Sequence, residues 1–216
     1  MTELRGSARR GSLGTHSPVI GLIGPIGCGK STVAGWLADR GAAVVDADRL
    51  TRQLMSPGAP VTEAVIARFG DEYRRPDGSL DRAALGRLVF SDPDRLVELE
   101  SIVHPAVAGL GEEEIRAADA TGPVAIVLEA VKLVEAGNAP WCDEIWLVIC
   151  EPATQMARLT GRGMAELDAR QRIAAQEVSL PLWRSAATRA LRTDGSPEEV
   201  ERAVDAALRK VLAGRG

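Results

Sequence analysis

The chain has 216 residues, 45% of them hydrophobic and 26% charged, with a formal net charge of −4. That length suits one domain, or one with a modest insertion, and can bury a substantial core. The acidic balance argues against a general nucleic-acid binder, and 3% aromatic residues leave little on which single strands could stack. No apolar run reaches the ~18 residues of a membrane-spanning helix. Cys28, Cys142 and Cys150 are odd in number and lack metal-ligand spacing. They argue against a disulfide or zinc framework and for a reduced, cytoplasmic setting.

Residues 1–17, MTELRGSARRGSLGTHS, are rich in Gly, Ser and Arg and lack the apolar stretch of a signal peptide. They read as a disordered leader. The folded domain is expected over 18–213. VIGLIG (19–24) is a short β-branched run ending in glycine, a buried strand. STVAGWLADRG follows with helical spacing at Val33, Trp36, Leu37 and Arg40, stopped by Gly41. AAVVDAD (42–48) is a second strand. The interval 49–122 then reads almost entirely as helix: RLTRQLM, PVTEAVIARFG, DRAALGRLVF and DPDRLVELESIVHPAVAGLGEEEIRAAD, with His104-Pro105 a candidate break.

PVAIVLEA (123–130) and DEIWLVICE (143–151) are the third and fourth strands, continuous apolar runs expected of parallel strands covered on both faces. ATQMARLTGRGMAELDARQRIAAQEV comes next, with a glycine hinge at GRG and a lid over about 160–180. ATRALR (187–192) is a fifth strand. The turn TDGSPEE leads to a last helix with apolar positions at Val200, Val204, Ala207, Leu208 and Val211. Strands alternating with helices predict an α/β fold with a parallel five-stranded sheet. Its core comprises 18–48 and 123–213, and a helical insertion occupies 49–122. A simple crossover needs only a dozen or so residues, so that insertion is either a decorated crossover or a cover for a second substrate.

GPIGCGKS (24–31) fits the phosphate-loop pattern G-x-x-x-x-G-K-[ST], with a strand before it and a helix after it. Its glycines let successive N–H groups, those of Gly27, Cys28 and Gly29, turn inward as an anion nest at a positive helix end. Lys30 reaches the β- and γ-phosphates of a nucleotide, the Ser31 hydroxyl suits Mg²⁺, and Thr32 adds a hydroxyl towards the α-phosphate. Cys28 reads as a small residue filling a slot, in a position where a helix N-terminus would favour its thiolate.

Asp46 and Asp48 close the second strand and, as i and i+2, point to one side. One carboxylate there could take the proton of an attacking hydroxyl while the other orients metal-bound water. Asp48 is also a good N-cap for the helix RLTRQLM, but its place after the second strand, opposite the phosphate loop, favours the catalytic role. Far downstream, Arg158, Arg162, Arg170 and Arg172 form a second cationic group. Arginine forks suit the charge that builds on a transferring phosphoryl group, although Arg170 beside Glu166 and Asp168 also reads as a solvated helix face.

Together these features resemble the dephospho-coenzyme A kinases over about residues 18–211. The phosphate loop is followed by DAD and then by Arg52. PGAP (57–60), RFGDEYRRPDGSLDRAAL (68–85), VFSDP (89–93) and IVHP (102–105) match that family's acceptor-domain landmarks, EAVKLVEAG (129–137) stands at its Pro-Leu-Leu-Phe-Glu segment, and RIAAQ (172–176) is its lid signature. Pro25 stands at the usual second loop glycine and brings no N–H. Thr188 and Asp194 replace the family's aspartate and asparagine in the late strand, an edge that borders adenine in the family.

The resemblance implies ATP-dependent phosphorylation of the ribose 3′-hydroxyl of dephospho-coenzyme A by a cytoplasmic monomer or weak homo-oligomer, with Mg²⁺. Asp48 would be the base, Lys30 and Ser31 the phosphate and Mg²⁺ ligands, and Arg158 and Arg162 the lid charges. Asp46, Arg52 and His104 would line the acceptor site. Outside that resemblance, the phosphate loop admits another small-molecule kinase acting on a nucleoside monophosphate or similar acceptor, or a nucleotide- or coenzyme A-binding sensor. The absence of an Asn-Lys-x-Asp base-reading motif counts against a GTPase.

Overall fold

The computed structural model describes residues 2–3 and 12–214. In chain order the elements are β1 (Thr2–Glu3), β2 (Val19–Ile23), α1 (Lys30–Asp39), β3 (Ala43–Asp46), α2 (Ala47–Leu54), α3 (Pro60–Phe69), α4 (Arg82–Ser91) and α5 (Pro93–Asp119). They continue with β4 (Ile126–Glu129), β5 (Glu144–Ile149), α6 (Pro152–Gly161), α7 (Glu166–Glu177), α8 (Leu180–Ala186), β6 (Arg189–Arg192) and α9 (Pro197–Ala213). Two compact units result, one of residues 1–45 and 115–216, the other of 46–114.

The first unit carries the sheet, in the order β1-β6-β5-β2-β4-β3. Five of these strands form the expected parallel sheet, and β1 adds an antiparallel edge, Thr2 facing Ala190 and Glu3 facing Arg189. The central strand β2 is buried along its whole length. It pairs with β4 on one side (Val19 with Ile126) and β5 on the other (Ile23 with Leu147). Chain continuity cannot bring these strands together; burial of two apolar faces does. On one face, Ile20, Leu22, Trp146, Val148 and Leu191 pack with Val33 and Leu37 of α1 and with Val204, Leu208 and Val211 of α9. Each fully buried aliphatic side chain there contributes about 1.5–3 kcal/mol. Helix α9 buries the five apolar positions expected of it. A capping box starts it: Ser196 accepts from the Glu199 N–H while the Glu199 carboxylate accepts from Ser196.

Residues 1–17 were expected to be a disordered leader, and part of that stretch is structured. Besides β1, the N–H groups of His16 and Ser17 donate to the Asp119 carboxylate (3.0 and 2.8 Å), and the Ser17 hydroxyl donates to the Pro123 carbonyl (2.8 Å). Residues 1 and 4–11 lie outside the described residues.

The second unit is helical and holds its own core. Val61, Val65, Ile66, Phe69, Leu80, Leu85 and Val89 form it, with Leu54, Leu96, Leu99 and Ile102 packed against them. Arg74 joins it from a short bridge to Leu80 and makes a two-pronged ion pair with Glu63 (2.8 and 2.9 Å). The unit ends at Glu114 rather than near 122, because α5 continues and its residue Ile115 is fully buried in the first unit. Helix α5 also runs on through Pro105, so the candidate break at His104-Pro105 does not occur.

Candidate functional site

The phosphate loop leaves β2 at Gly24 and enters α1 at Lys30. Gly27 and Gly29 take φ of 78° and 89°, the left-handed conformation an inward-turned chain requires. No side chain caps α1, so its first-turn N–H groups meet the loop with the positive end of the helix dipole behind them. Lys30 is nine-tenths buried and curls over the loop, its Nζ donating to the carbonyls of Gly24 (2.7 Å) and Pro25 (3.2 Å). Pro25, without an N–H, thus serves the loop through its carbonyl.

Side chains distant in sequence hold this loop. The Ile26 peptide is gripped from both sides: its N–H donates to Gln176 Oε1 of α7 and its carbonyl accepts from Gln155 Nε2 of α6, both at 2.7 Å. Thr193, just past β6, donates from Oγ1 to the Cys28 carbonyl (2.8 Å). Ser31 donates to Glu129 Oε1 (3.0 Å) at the carboxyl end of β4. Ser31 and Glu129 together offer hard oxygen donors that fit Mg²⁺, an ion that keeps several waters and takes one or two carboxylates besides phosphate.

A cavity of about 220 Å³ opens beside the loop, lined among others by Trp36, Arg158, Arg162, Thr193, Pro197 and Val200. Arg158 and Arg162, expected together, both reach it. Arg158 is fixed there by Nη1 to Thr193 Oγ1 (3.0 Å) and Nη2 to the Thr193 carbonyl (2.5 Å). Arg170 instead pairs with Glu166 one helical turn away (2.6 Å), the solvated-face alternative. Thr188 and Asp194 separate from one another. Thr188 sits at the amino end of β6, where its hydroxyl closes on the Ile145 N–H and carbonyl (both 3.0 Å). Asp194 accepts from the Glu151 N–H (2.6 Å) at the start of α6. Burial works against the Asp194 carboxylate, but that N–H, the Thr154 hydroxyl and Arg192 outweigh it and hold its pKa below the usual range.

The second unit carries the other expected site residues. Strand β3 ends at Asp46, so the aspartates are not i and i+2 on a strand. Asp46 is the N-cap of α2, accepting from the Arg49 N–H (2.9 Å), and Asp48 lies exposed in the first helical turn. The capping role considered for Asp48 therefore falls to Asp46. Arg52 faces Asp46 at 3.6 Å. His104 is half-buried on α5.

A family model for dephospho-CoA kinase matches residues 18–198. The chain belongs to the dephospho-CoA kinase family. It is 44% identical to the dephospho-CoA kinase of Symbiobacterium thermophilum over 199 residues, 92% of this chain and 83% of that one. The crystallised protein TT1252 of Thermus thermophilus is 35% identical, with a TM-score of 0.74 over 90% of this chain and 98% of that one. The dephospho-CoA kinase of Campylobacter jejuni shares the fold at 18% identity, with a TM-score of 0.66 over 92% and 98% of the two chains.

Within that frame the cysteines depart from expectation. Cys28 and Cys150 form a disulfide across 122 residues, with Cα atoms 5.2 Å apart. The pair was invisible in the spacing because parallel pairing of β2 with β5 is what sets the phosphate loop beside the end of β5. Cys28 is thus a cross-link within the loop as well as a small residue. Cys142 remains a buried thiol, and burial, aided by the Asp143 charge, pushes it up to about 12.

Sequence reasoning missed Glu129, Gln155 and Thr193 and assigned Gln176 no role. For Glu129 a signal existed: an acidic residue closing an apolar strand next to the phosphate-loop strand is where a Mg²⁺-supporting carboxylate stands in phosphate-loop enzymes.

Proposed function

We propose that this chain transfers the γ-phosphoryl group of ATP to the ribose 3′-hydroxyl of dephospho-coenzyme A, giving coenzyme A and ADP. The observation that carries the reading is the uncapped N-terminus of α1 with Lys30 over the loop and Arg158 and Arg162 on the adjoining cavity. Membership of the dephospho-CoA kinase family supplies the acceptor. The loop N–H groups, from Gly27 through Thr32, take the donor phosphates, and Lys30 leaves the Gly24 and Pro25 carbonyls for their oxygens. The base and ribose of ATP enter the cavity between Arg158 and Pro197.

Asp48 accepts the proton of the acceptor hydroxyl as its oxygen attacks the γ-phosphorus and the β–γ bridging oxygen leaves with ADP. Arg158 and Arg162 stabilise the charge spread over the equatorial oxygens. Asp46, Arg52 and His104 bind the acceptor, Asp46 also holding the start of α2. Mg²⁺, held by Ser31 with Glu129 behind it, would neutralise charge on the β- and γ-phosphates. We assign the protein to the cytoplasm, as a monomer or weak homo-oligomer. ATP supply supports that location. Separately, no helix among the described residues is long and apolar enough to cross a membrane.

The test is a coupled ADP-release assay offering dephospho-coenzyme A beside a panel of nucleoside monophosphates. Turnover of the first alone is expected; its absence overturns the assignment. Asp48→Asn should lower turnover by at least about 10²-fold while an ATP analogue still binds, and near-wild-type turnover would remove Asp48 from the chemistry.

A further inference from the structure

We propose that Thr193 is a positioning residue for phosphoryl transfer, the joint through which the phosphate loop sets the guanidinium of Arg158. The proposal rests on the reading of the chain as an ATP-dependent phosphotransferase in which Arg158 meets the nucleotide. Thr193 is 4% exposed and follows the last strand of the sheet. Its N–H donates to the Ile149 carbonyl (3.0 Å), extending the β5–β6 ladder by one rung and fixing its backbone to the sheet.

From that anchored position its hydroxyl does two things at once. It donates its single proton to the Cys28 carbonyl in the middle of the phosphate loop (2.8 Å) and accepts from Arg158 Nη1 (3.0 Å). Donation to one partner polarises the oxygen and improves it as an acceptor for the other. The Thr193 carbonyl takes the second arm of the same guanidinium, Nη2, at 2.5 Å. Both arms of the Arg158 fork are therefore set by one residue, which is itself tied to the loop.

The consequence is geometric. A methyl group added at Gly29 would lie 3.7 Å from Arg158 Nη1 and 3.9 Å from Thr193 Oγ1, so the guanidinium stands against the loop where α1 begins. An arginine on a helical arm has four flexible torsions. Held by its own helix alone, it would sample many positions, and a misplacement of about 1 Å in a positioned group costs up to about 10²-fold in rate. Thr193 removes that freedom from the side facing the nucleotide. A serine retains the hydroxyl and carbonyl, whereas a valine of nearly the same shape retains only the carbonyl. The Cys28 carbonyl and Arg158 Nη1 then each lose their partner.

The experiment combines steady-state kinetics with titration of a non-hydrolysable ATP analogue, for Thr193→Val, Thr193→Ser, Arg158→Ala and the double variant Thr193→Val with Arg158→Ala. Thr193→Val should lower kcat about 10- to 100-fold, with a smaller rise in KM for dephospho-coenzyme A, and should weaken the analogue severalfold. Thr193→Ser should stay within about threefold of wild type. In the Arg158→Ala background, Thr193→Val should lower kcat severalfold less than it does in the wild type, because the residue it positions is gone and only its tie to the Cys28 carbonyl is left to lose.

Equal losses from Thr193→Val with and without Arg158 overturn the proposal, as does a Thr193→Ser as impaired as the valine. Should Thr193→Val fail to fold, Arg158→Lys decides: it keeps the charge but cannot span both Thr193 oxygens, and wild-type kcat for it overturns the proposal. The analogue titration needs no acceptor. A wild type that binds ATP but spares dephospho-coenzyme A therefore counts against the function, while the coupling of Thr193 to Arg158 is judged on binding alone.

Discussion

Replacing Gly24 with alanine should be among the most damaging single-methyl changes in this chain, and the reason is local. Gly24 leaves β2 with φ +142°, a conformation that side chains rarely adopt. A Cβ built there would lie 2.1 Å from the Val148 carbonyl oxygen and 3.0 Å from its carbon. Relieving the contact requires a retreat of about 1 Å to reach van der Waals separation. The atom that must retreat is backbone of β5, which is paired on both sides, with β2 and with β6. Backbone strain of about 1–3 kcal/mol and overpacking of about 1–3 kcal/mol give a loss of about 2–6 kcal/mol. Against a total stability of about 5–15 kcal/mol this is a large fraction, and for a chain of this size it lowers Tm by about 4–24 °C.

Gly29→Ala is the internal control. Its φ is +89°, but the nearest atoms to an added methyl are 3.7 and 3.9 Å away, in ordinary contact. Only the left-handed backbone cost remains, about 1–2 kcal/mol, or a Tm loss of about 2–8 °C. Calorimetric melts of both variants decide the matter. A Gly24→Ala protein that melts at or above the temperature of Gly29→Ala would refute the reasoning.

Glu129→Gln should raise the Mg²⁺ concentration for half-maximal turnover about 10-fold, since the carboxylate behind Ser31 is lost while an acceptor for its hydroxyl remains; an unchanged Mg²⁺ titration would remove Glu129 from the metal site. Thiol titration in denaturant should count one reactive cysteine before reduction and three after it; three before reduction would contradict the Cys28–Cys150 bridge. Burial raises the Asp119 pKa, but N–H donation from Ser17 and His16 outweighs it and depresses the value to about 2. The folded value thus lies below the unfolded one. This carboxylate stabilises the fold above about pH 4, and its contribution fades as pH falls towards 2. Acid melts of Asp119→Asn should be flatter over that window than those of wild type, and parallel curves would count against the shift.

What could be read from sequence divides along a physical line. Patterns that one element satisfies by itself were legible. Continuous apolar runs became β2, β4 and β5, and the five apolar positions of the last helix became the buried face of α9. Local contests were harder. Whether Asp46 or Asp48 caps α2 turns on where β3 stops, a matter of two residues, and Asp46 prevails by accepting the Arg49 N–H. Pro105 reads as a helix breaker, yet the α5 residues Ile102, Val103 and Ala106, on either side of it, pack against the core of the second unit, so burial outweighs one lost hydrogen bond. Contacts between distant segments were not legible, because no periodicity encodes which strand ends become neighbours.

The phosphate loop shows why that last class matters most for function. A glycine-rich segment has the backbone freedom to curl around phosphates and, for the same reason, the freedom to do something else. Its signature therefore specifies only that a nest can form. The nest is held open from outside: Gln155 and Gln176 grip the Ile26 peptide, Thr193 takes the Cys28 carbonyl, and Cys150 is bonded to Cys28 itself. These four residues come from α6, α7, the end of β6 and the end of β5, between 122 and 165 positions away in the chain. Ordering the loop before ATP arrives moves that entropy cost from binding into folding, which is what preorganisation means here. Two of the ties, Gln155 and Thr193, also lie on or bond to the segment bearing Arg158. A change that loosens the loop should therefore displace the lid arginine as well, and donor affinity and turnover should fall together.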